Sequence, residues 1–243
     1  LDSSIITKYA SDYFYENDLP PLDTYSIDYI DNDKNFVKSD FQPNSDNYYI
    51  DLMVNKLHTN HHPIVIDTPE LADALRDAMI ARDMPGMADI DSSLLLFCKN
   101  VKNATTADSS VGLKNECIQP PSLGLTSGYT PPPSVALTGE CADEIFGGYP
   151  WFFREDALNS GTFPWSLAIS ERQTLLHPSI AKKIDLKGYI DYRYNESLNE
   201  VEILETDSLE TAEKRKISHL TLNWFMQTLL DRSERMATYT DFE

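Results

Sequence analysis

Val135-Ala-Leu-Thr-Gly-Glu-Cys-Ala-Asp-Glu-Ile-Phe-Gly-Gly-Tyr149 joins an apolar run to an abrupt Thr138-Gly139 break and then to three carboxylates, Glu140, Asp143 and Glu144. Phe146, a Gly147-Gly148 pair and Tyr149-Pro150 complete it. The apolar run Val135 to Leu137 reads as a short buried strand that delivers a turn and then an acid-rich helix start. In open α/β sheets ligands bind beyond the carboxyl ends of strands, so such a turn is well placed for chemistry. Acids at a helix start are favoured by the dipole in any case, and a lone E-x-x-D-E needs no further role.

Upstream of this stretch, helical and strand patterns alternate. Apolar positions recur at helical intervals from Ile5 through Tyr13, with Asp2 or Ser3 as the expected N-cap. Thr24 to Ile30, rich in β-branched and aromatic residues, predicts a strand. A polar loop, Asp31 to Asp46, precedes a helix over Tyr48 to Leu57 with Tyr49, Leu52, Met53 and Leu57 on its inner face. His58, His61 and His62 cluster at its end, without the carboxylate spacing of a metal site. His62 to Asp67 predicts a second strand. A helix follows, with Pro69 near its first position, Thr68 as cap, and Leu71, Leu75, Ala78 and Met79 on its buried face. Asp91 or Ser92 caps the next helix, whose Leu94 to Cys98 run is apolar nearly all round. This order predicts a parallel sheet covered on both faces by helices.

Thr105 to Ser134 breaks the pattern. It is rich in Ser, Gly and Pro, and a structureless stretch of that length inside a domain reads as a flexible surface insert. Beyond Tyr149 the sequence predicts helices only: an aromatic one at Trp151 to Arg154, two more over Ile180 to Leu186 and Gly188 to Leu198, and a long one over Leu209 to Leu230. Ile217, Leu220, Trp224, Met226 and Leu230 form the core stripe of that last helix.

Composition narrows the function. The 243 residues suit one large domain or two small ones, and 41% of them are hydrophobic, enough for a sizeable core. A net charge of -19 argues against binding the phosphate backbone of DNA or RNA, which needs Lys and Arg fields. No apolar run is long enough to span a bilayer and no signal-peptide pattern opens the chain, so no membrane partner is expected. Three cysteines, Cys98, Cys117 and Cys141, lack metal spacing and suit a reducing, cytoplasmic compartment. The sequence lacks an initiator Met and is read as part of a longer protein.

Three segments together resemble one family. Leu1-Asp2-Ser3-Ser4 resembles the end of the S-G-G-x-D-S-S pyrophosphate loop of N-type ATP pyrophosphatases. Leu137 to Tyr149 resembles the S-G-E-x-x-D-E-x-F-G-G-Y signature of the asparagine synthase family, with Thr138 in place of Ser. Leu230-Asp-Arg-Ser-Glu-Arg-Met236 is similar to that family's L-D-R-x-x-R-M element. The resemblance covers residues 1–243 as a partial domain with an insert at 105–134. It implies an α/β fold, a parallel sheet sandwiched by helices as in the adenine nucleotide alpha-hydrolases, with a helical C-terminal part.

It also implies an ATP-dependent, AMP-forming amide ligase. Aspartate or a related carboxylate would be activated as an acyl-adenylate with release of pyrophosphate, then attacked by ammonia from an N-terminal glutaminase domain that residues 1–243 do not include. The cofactors implied are ATP and Mg²⁺, and a homodimer is compatible with the family. By the match, Asp2 and Asp143 are the metal ligands and Glu140 the catalytic carboxylate. Asp2, Ser3, Ile27, Thr138 and Gly139 hold the nucleotide, with Ser3 on pyrophosphate and Ile27 on adenine. The match also places Asp2 and Asp143 at the ends of neighbouring strands. These residue types suit that chemistry. Cleaving ATP between the α and β phosphates leaves a highly charged pyrophosphate, which needs backbone N–H groups at a helix N-terminus and a hard cation. The family's S-G-G and its later basic region are not among these residues, and the fragment alone is expected to be inactive. Two other readings share these residues: a β-lactam synthetase-like or peptide-cyclising ligase on the same scaffold, and a non-catalytic module whose insert binds a partner.

Overall fold

The computed structural model describes residues 1–39, 44–108 and 135–241, leaving aside the side chains at 88, 89 and 105–108. The chain divides into two compact units. The first is drawn from Leu1–Lys38, Asn44–Gly139 and Asp231–Glu243, and the second is built on Glu140–Leu230.

In the first unit, α1 (Asp2–Glu16) leads to β1 (Asp23–Tyr29), a single turn α2 (Asn32–Asn35), α3 (Asn47–Leu57), β2 (Asn60–Ile66), α4 (Thr68–Arg82) and α5 (Ala88–Asp108). β1 and β2 pair in parallel, from Asp23 opposite Asn60 to Tyr29 opposite Ile66. The register carries His61 to Thr24 and Ser26, whose hydroxyls each lie 3.0 Å from one of its ring nitrogens. His62 stacks on Tyr25, with Nε2 2.9 Å from Asp23 Oδ1. His61 and His62 are therefore taken up by the strand pair, while His58 is the exposed left-handed C-cap of α3. α4 opens on a capping box in which Asp67, not the expected Thr68, accepts from Glu70 N while Glu70 accepts from Asp67 N. An aspartate just ahead of Thr-Pro-Glu outcompetes the threonine because Glu70 completes the reciprocal pair.

The core of this unit lies between α4, α5 and the end of the last helix. Ala78, Leu95, Cys98 and Met236 are buried together. Burying a Leu or Met contributes about 1.5–3 kcal/mol each. The buried face of α4 is Ala74, Ala78 and Arg82, whereas Leu75 and Met79 stay exposed. The smaller face wins because α5 packs closely on it and Arg82 finds buried Asp91, with Nη1 3.3 Å from Oδ1. That pairing also places Asp91 and Ser92 inside α5 rather than at its cap. On α3 the inner face is Ile50, Met53, Val54 and Leu57, and Tyr49 and Leu52 are exposed. The helix is turned from the expected face so that its aliphatic residues pack inward and Tyr49 keeps its hydroxyl outside.

A further expectation is corrected. Val135 to Leu137 is neither a strand nor buried: Val135 is 62% exposed and Leu137 75%. An apolar trio becomes a strand only where a neighbour offers it a ladder, and among the described residues the sheet is β1 and β2 alone. The α/β expectation holds at the level of a mixed fold, with a small parallel sheet and much helix among the described residues. α5 runs through Asp108, the first four residues of the stretch read as an insert; 109–134 lie outside the described residues.

The second unit is helical. α6 (Ala142–Phe146) is followed by a 3₁₀ turn at Pro150–Phe152, where an aromatic helix was expected, α7 (Glu155–Leu158) and a 3₁₀ turn at Pro164–Ser166. α8 (Ile169–Gln173), α9 (Pro178–Ala181), α10 (Leu186–Leu198) and α11 (Leu209–Leu220) follow. Proline at the first or second position of both 3₁₀ turns fixes φ but withholds an N–H, which favours short tight helices. The long helix expected from Leu209 is present but is interrupted by a π turn at Thr221–Phe225 before α12 (Met226–Tyr239). Its expected stripe is buried at Ile217 and Leu220 only, while Leu230 is exposed. The extra residue in the π turn gives adjacent aromatics separate homes. Trp224 donates to Ser197 Oγ at 2.8 Å under the Arg193 guanidinium, and Phe225 meets Tyr149, Trp151 and Trp165.

Candidate active site

In the first unit, the residues expected to meet a nucleotide start at α1. The first-turn N–H groups of a helix have no intrahelical acceptor and carry the positive end of its dipole, which suits an anion. Asp2 is the first helical residue and half-buried; Ser3 is exposed. Neither caps α1, whose N-cap is Leu1, so their side chains are not committed to the cap. Gly139 lies directly against this helix start. A Cβ on Gly139 would fall 2.5 Å from Ser3 N, 2.6 Å from Ser3 Oγ and 3.1 Å from the Asp2 carbonyl carbon. Only glycine fits there, so residues 2, 3 and 139, far apart in sequence, are brought together.

Ile27 sits at the centre of β1, opposite Ile64 and half-buried. Its neighbour Asp28 is a residue that spacing and motif do not reveal. Asp28 Oδ1 accepts from Tyr29 N at 2.8 Å and Asn32 Nδ2 at 2.7 Å, and Oδ2 from Asn47 Nδ2 at 2.8 Å. Burial pushes this carboxyl upward, but the bonds from Asn47, Tyr29 and Asn32 together hold it below its ordinary value. Its one signal in the sequence is an Asp at a strand end followed by amides, which fits no ligand pattern.

In the second unit the acid-rich turn is tightly built. Cys141 is the N-cap of α6 with φ 73° and ψ 0°, a left-handed conformation uncommon for a residue with a Cβ. Gly147 ends the helix, also left-handed at φ 72°. Gly148 N donates to Asp143 O at 2.9 Å, and a Cβ on Gly148 would lie 2.0 Å from Asp143 Oδ1. Glu144 is only 1% exposed and accepts from Tyr149 Oη at 2.6 Å. Burial first, then the bond to Glu144 and the nearby acids, push the Tyr149 phenol well above its usual range. Burial, Glu144 and Glu140 likewise raise the Cys141 thiol.

The three carboxylates thus differ in setting. Glu144 is interior and hydrogen-bonded, Glu140 half-buried, and Asp143 exposed. An exposed carboxylate suits a hydrated cation, and a half-buried one suits proton transfer. Thr138 is exposed, immediately before Gly139. Asp2 and Asp143, expected at the ends of neighbouring strands, occupy the first turns of two helices, α1 and α6. Among the described residues no group of three or more His, Cys, Asp or Glu is placed to hold a metal ion. Mg²⁺ keeps several waters and takes as few as one carboxylate plus substrate phosphates, so an acceptor-only carboxylate such as exposed Asp143 fits its chemistry without such a group.

The sequence model of the asparagine synthase family matches residues 1–116 and 126–243, leaving out nine residues within the stretch read as an insert. Asparagine synthetase [glutamine-hydrolyzing] 3 of Bacillus subtilis (strain 168) is 42% identical over 243 residues, all of this chain and 35% of that protein. The chain therefore spans about a third of the length of the curated relative it matches. With both the helix-start glycine contact and the acid turn inside the matched residues, this chain belongs to the asparagine synthase family.

Proposed function

We propose that the protein carrying this chain is an ATP-dependent, AMP-forming ligase that converts the side-chain carboxylate of aspartate to an amide. The observation that carries this reading is the seating of Gly139 on the first turn of α1, one residue before the acid turn, in a member of this family. Only a backbone stripped of its Cβ can bring the Thr138-Gly139 turn that close to a helix start suited to an anion.

The aspartate carboxylate attacks the α-phosphorus of ATP and pyrophosphate leaves. The N–H groups at the start of α1 and the Ser3 hydroxyl receive that pyrophosphate. Ile27 packs on adenine, and Thr138 and Gly139 contact the nucleotide through the backbone. Asp2 and Asp143 are the carboxylates that would hold Mg²⁺, which when bound offsets the charge of the departing phosphates. Ammonia then attacks the acyl carbon, a proton passes from its nitrogen to Glu140, and AMP leaves. The ammonia source is a glutaminase domain, as the name of the Bacillus relative suggests. A cytoplasmic homodimer completes the reading; no described helix is long and apolar enough to cross a membrane.

The test is product stoichiometry in the full-length protein. Aspartate, ATP and ammonia should give asparagine, AMP and pyrophosphate in equal amounts. Glu140→Gln should lose the amide product, and Asp143→Asn should weaken ATP use in a Mg²⁺-dependent way. Wild-type turnover in both variants, or ADP in place of AMP, would sink the proposal.

A further inference from the structure

We infer that Glu144 and Tyr149 are positioning residues: their buried hydrogen bond closes the turn that carries Glu140 and Asp143 and sets where both carboxylates stand. The inference rests on the function proposed above. Glu144 is buried and takes no part in the proposed chemistry, yet burying a carboxylate costs far more than burying an alkyl chain unless it is bonded. Its partner is Tyr149 Oη at 2.6 Å.

The bond closes a ring within the chain. From Glu144 the backbone runs through left-handed Gly147 to Gly148, whose N–H returns to Asp143 O and whose missing Cβ leaves room for Asp143 Oδ1. It then reaches Tyr149, whose hydroxyl returns to Glu144. Tyr149 is itself anchored. Its ring stacks on Trp151 at 4.2 Å and meets the edge of Phe225, in the π turn, at 5.3 Å. α6 packs on the same π turn. Asp143 is therefore fixed from both sides, by the Gly148 backbone and by a helix whose next residue is tied to the aromatic cluster. Glu140 precedes the left-handed Cys141 that starts that helix.

The structure also separates this role from simple packing. Tyr149→Phe keeps the ring contacts with Trp151 and Phe225 and removes only the hydroxyl. Glu144→Gln keeps an acceptor oxygen for that hydroxyl and removes only the charge. In the full-length protein, steady-state kinetics should show kcat for amide formation at least tenfold lower in Tyr149→Phe, with KM for aspartate within twofold. Glu144→Gln should stay within about twofold of wild type on both. A Tyr149→Phe variant with wild-type kcat, or a Glu144→Gln variant as impaired as Glu144→Ala, would overturn the inference.

A second measurement does not depend on the reaction. Amide hydrogen exchange at Gly148 should be at least tenfold faster in Tyr149→Phe, because the bond to Asp143 O opens with the ring. Unchanged protection would overturn the inference by itself. A wild-type protein that makes no amide from any carboxylate, with protection at Gly148 lost in Tyr149→Phe, would instead remove the proposed function and leave the closure of the turn standing.

Discussion

Gly139→Ala is the substitution whose effect follows most directly from the geometry. The added methyl would sit 2.5 Å from Ser3 N and 2.6 Å from Ser3 Oγ. The hydroxyl can rotate away, but the backbone nitrogen cannot. Ordinary contact for a carbon atom is about 3.5 Å, so the start of α1 and the 138–139 turn must separate by about 1 Å. Overpacking of this kind costs about 1–3 kcal/mol. At about 2–4 °C per kcal/mol for a chain of this size, the melting midpoint should fall by about 2–12 °C. Misplacing reacting groups by about 1 Å can cost about a hundredfold in rate, so turnover in the full-length protein should fall further than stability alone explains. Thermal unfolding of the chain and ATP affinity of the full-length protein are the assays. Gly161→Ala is the control: φ is +66° there, but nothing lies within 4 Å, so it carries backbone strain without a collision. Adding Ser3→Ala to Gly139→Ala should recover little, since the nitrogen contact remains. Unchanged melting and unchanged ATP affinity in Gly139→Ala would refute the reasoning.

Three further outcomes are expected. Cys141→Gly should raise stability by about 1 kcal/mol or leave it level, because a left-handed residue with a Cβ is strained, whereas Cys141→Val should lower it; the reverse order in chemical denaturation would show that the conformation carries no strain. Arg82→Met leaves Asp91 buried without its cation and should cost about 3–5 kcal/mol, read as a large drop in urea midpoint; a loss below about 1 kcal/mol would mean that Asp91 is solvated. The depressed pKa of Asp28 gives stability that is present above the unfolded value of about 3.9 and is lost as pH falls through the folded value. Asp28→Asn turns an acceptor into a donor facing amide donors, so it should destabilise at pH 6, with the gap to wild type closing towards pH 3. A gap that widens in acid would reverse the sign of the argument.

Much of the local structure was legible. β1 and β2 announced themselves by β-branched and aromatic runs, and α4 by the Asp-Thr-Pro-Glu start, although the cap fell one residue earlier. The errors share a cause: each needed a partner that period and propensity do not specify. Val135 to Leu137 has strand composition, and among the described residues no strand offers it a ladder. Periodicity points the inner face of α4 to its largest apolar residues, and close packing with α5 selects alanines and a buried arginine instead. Nothing in Thr221–Phe225 marks a π turn, because its reason lies in where Trp224 and Phe225 must go.

The proposed site divides the same way. Asp2, Ser3, Thr138, Gly139, Glu140 and Asp143 were visible as motif residues, since short-range chemistry leaves short-range spacing. The contact between Gly139 and Ser3 spans most of the chain and has no local signature. The Glu144–Tyr149 bond has a separation of five, which matches neither helix nor strand spacing. The distinct settings of the three carboxylates follow from that turn geometry.

The central claim is activation of the aspartate side chain as an acyl-adenylate, and ATP–pyrophosphate exchange in the full-length protein tests it most directly. Exchange should depend on aspartate and on Mg²⁺. Exchange supported by another carboxylate but not by aspartate would contradict the substrate, and no exchange with any carboxylate would contradict the ligase.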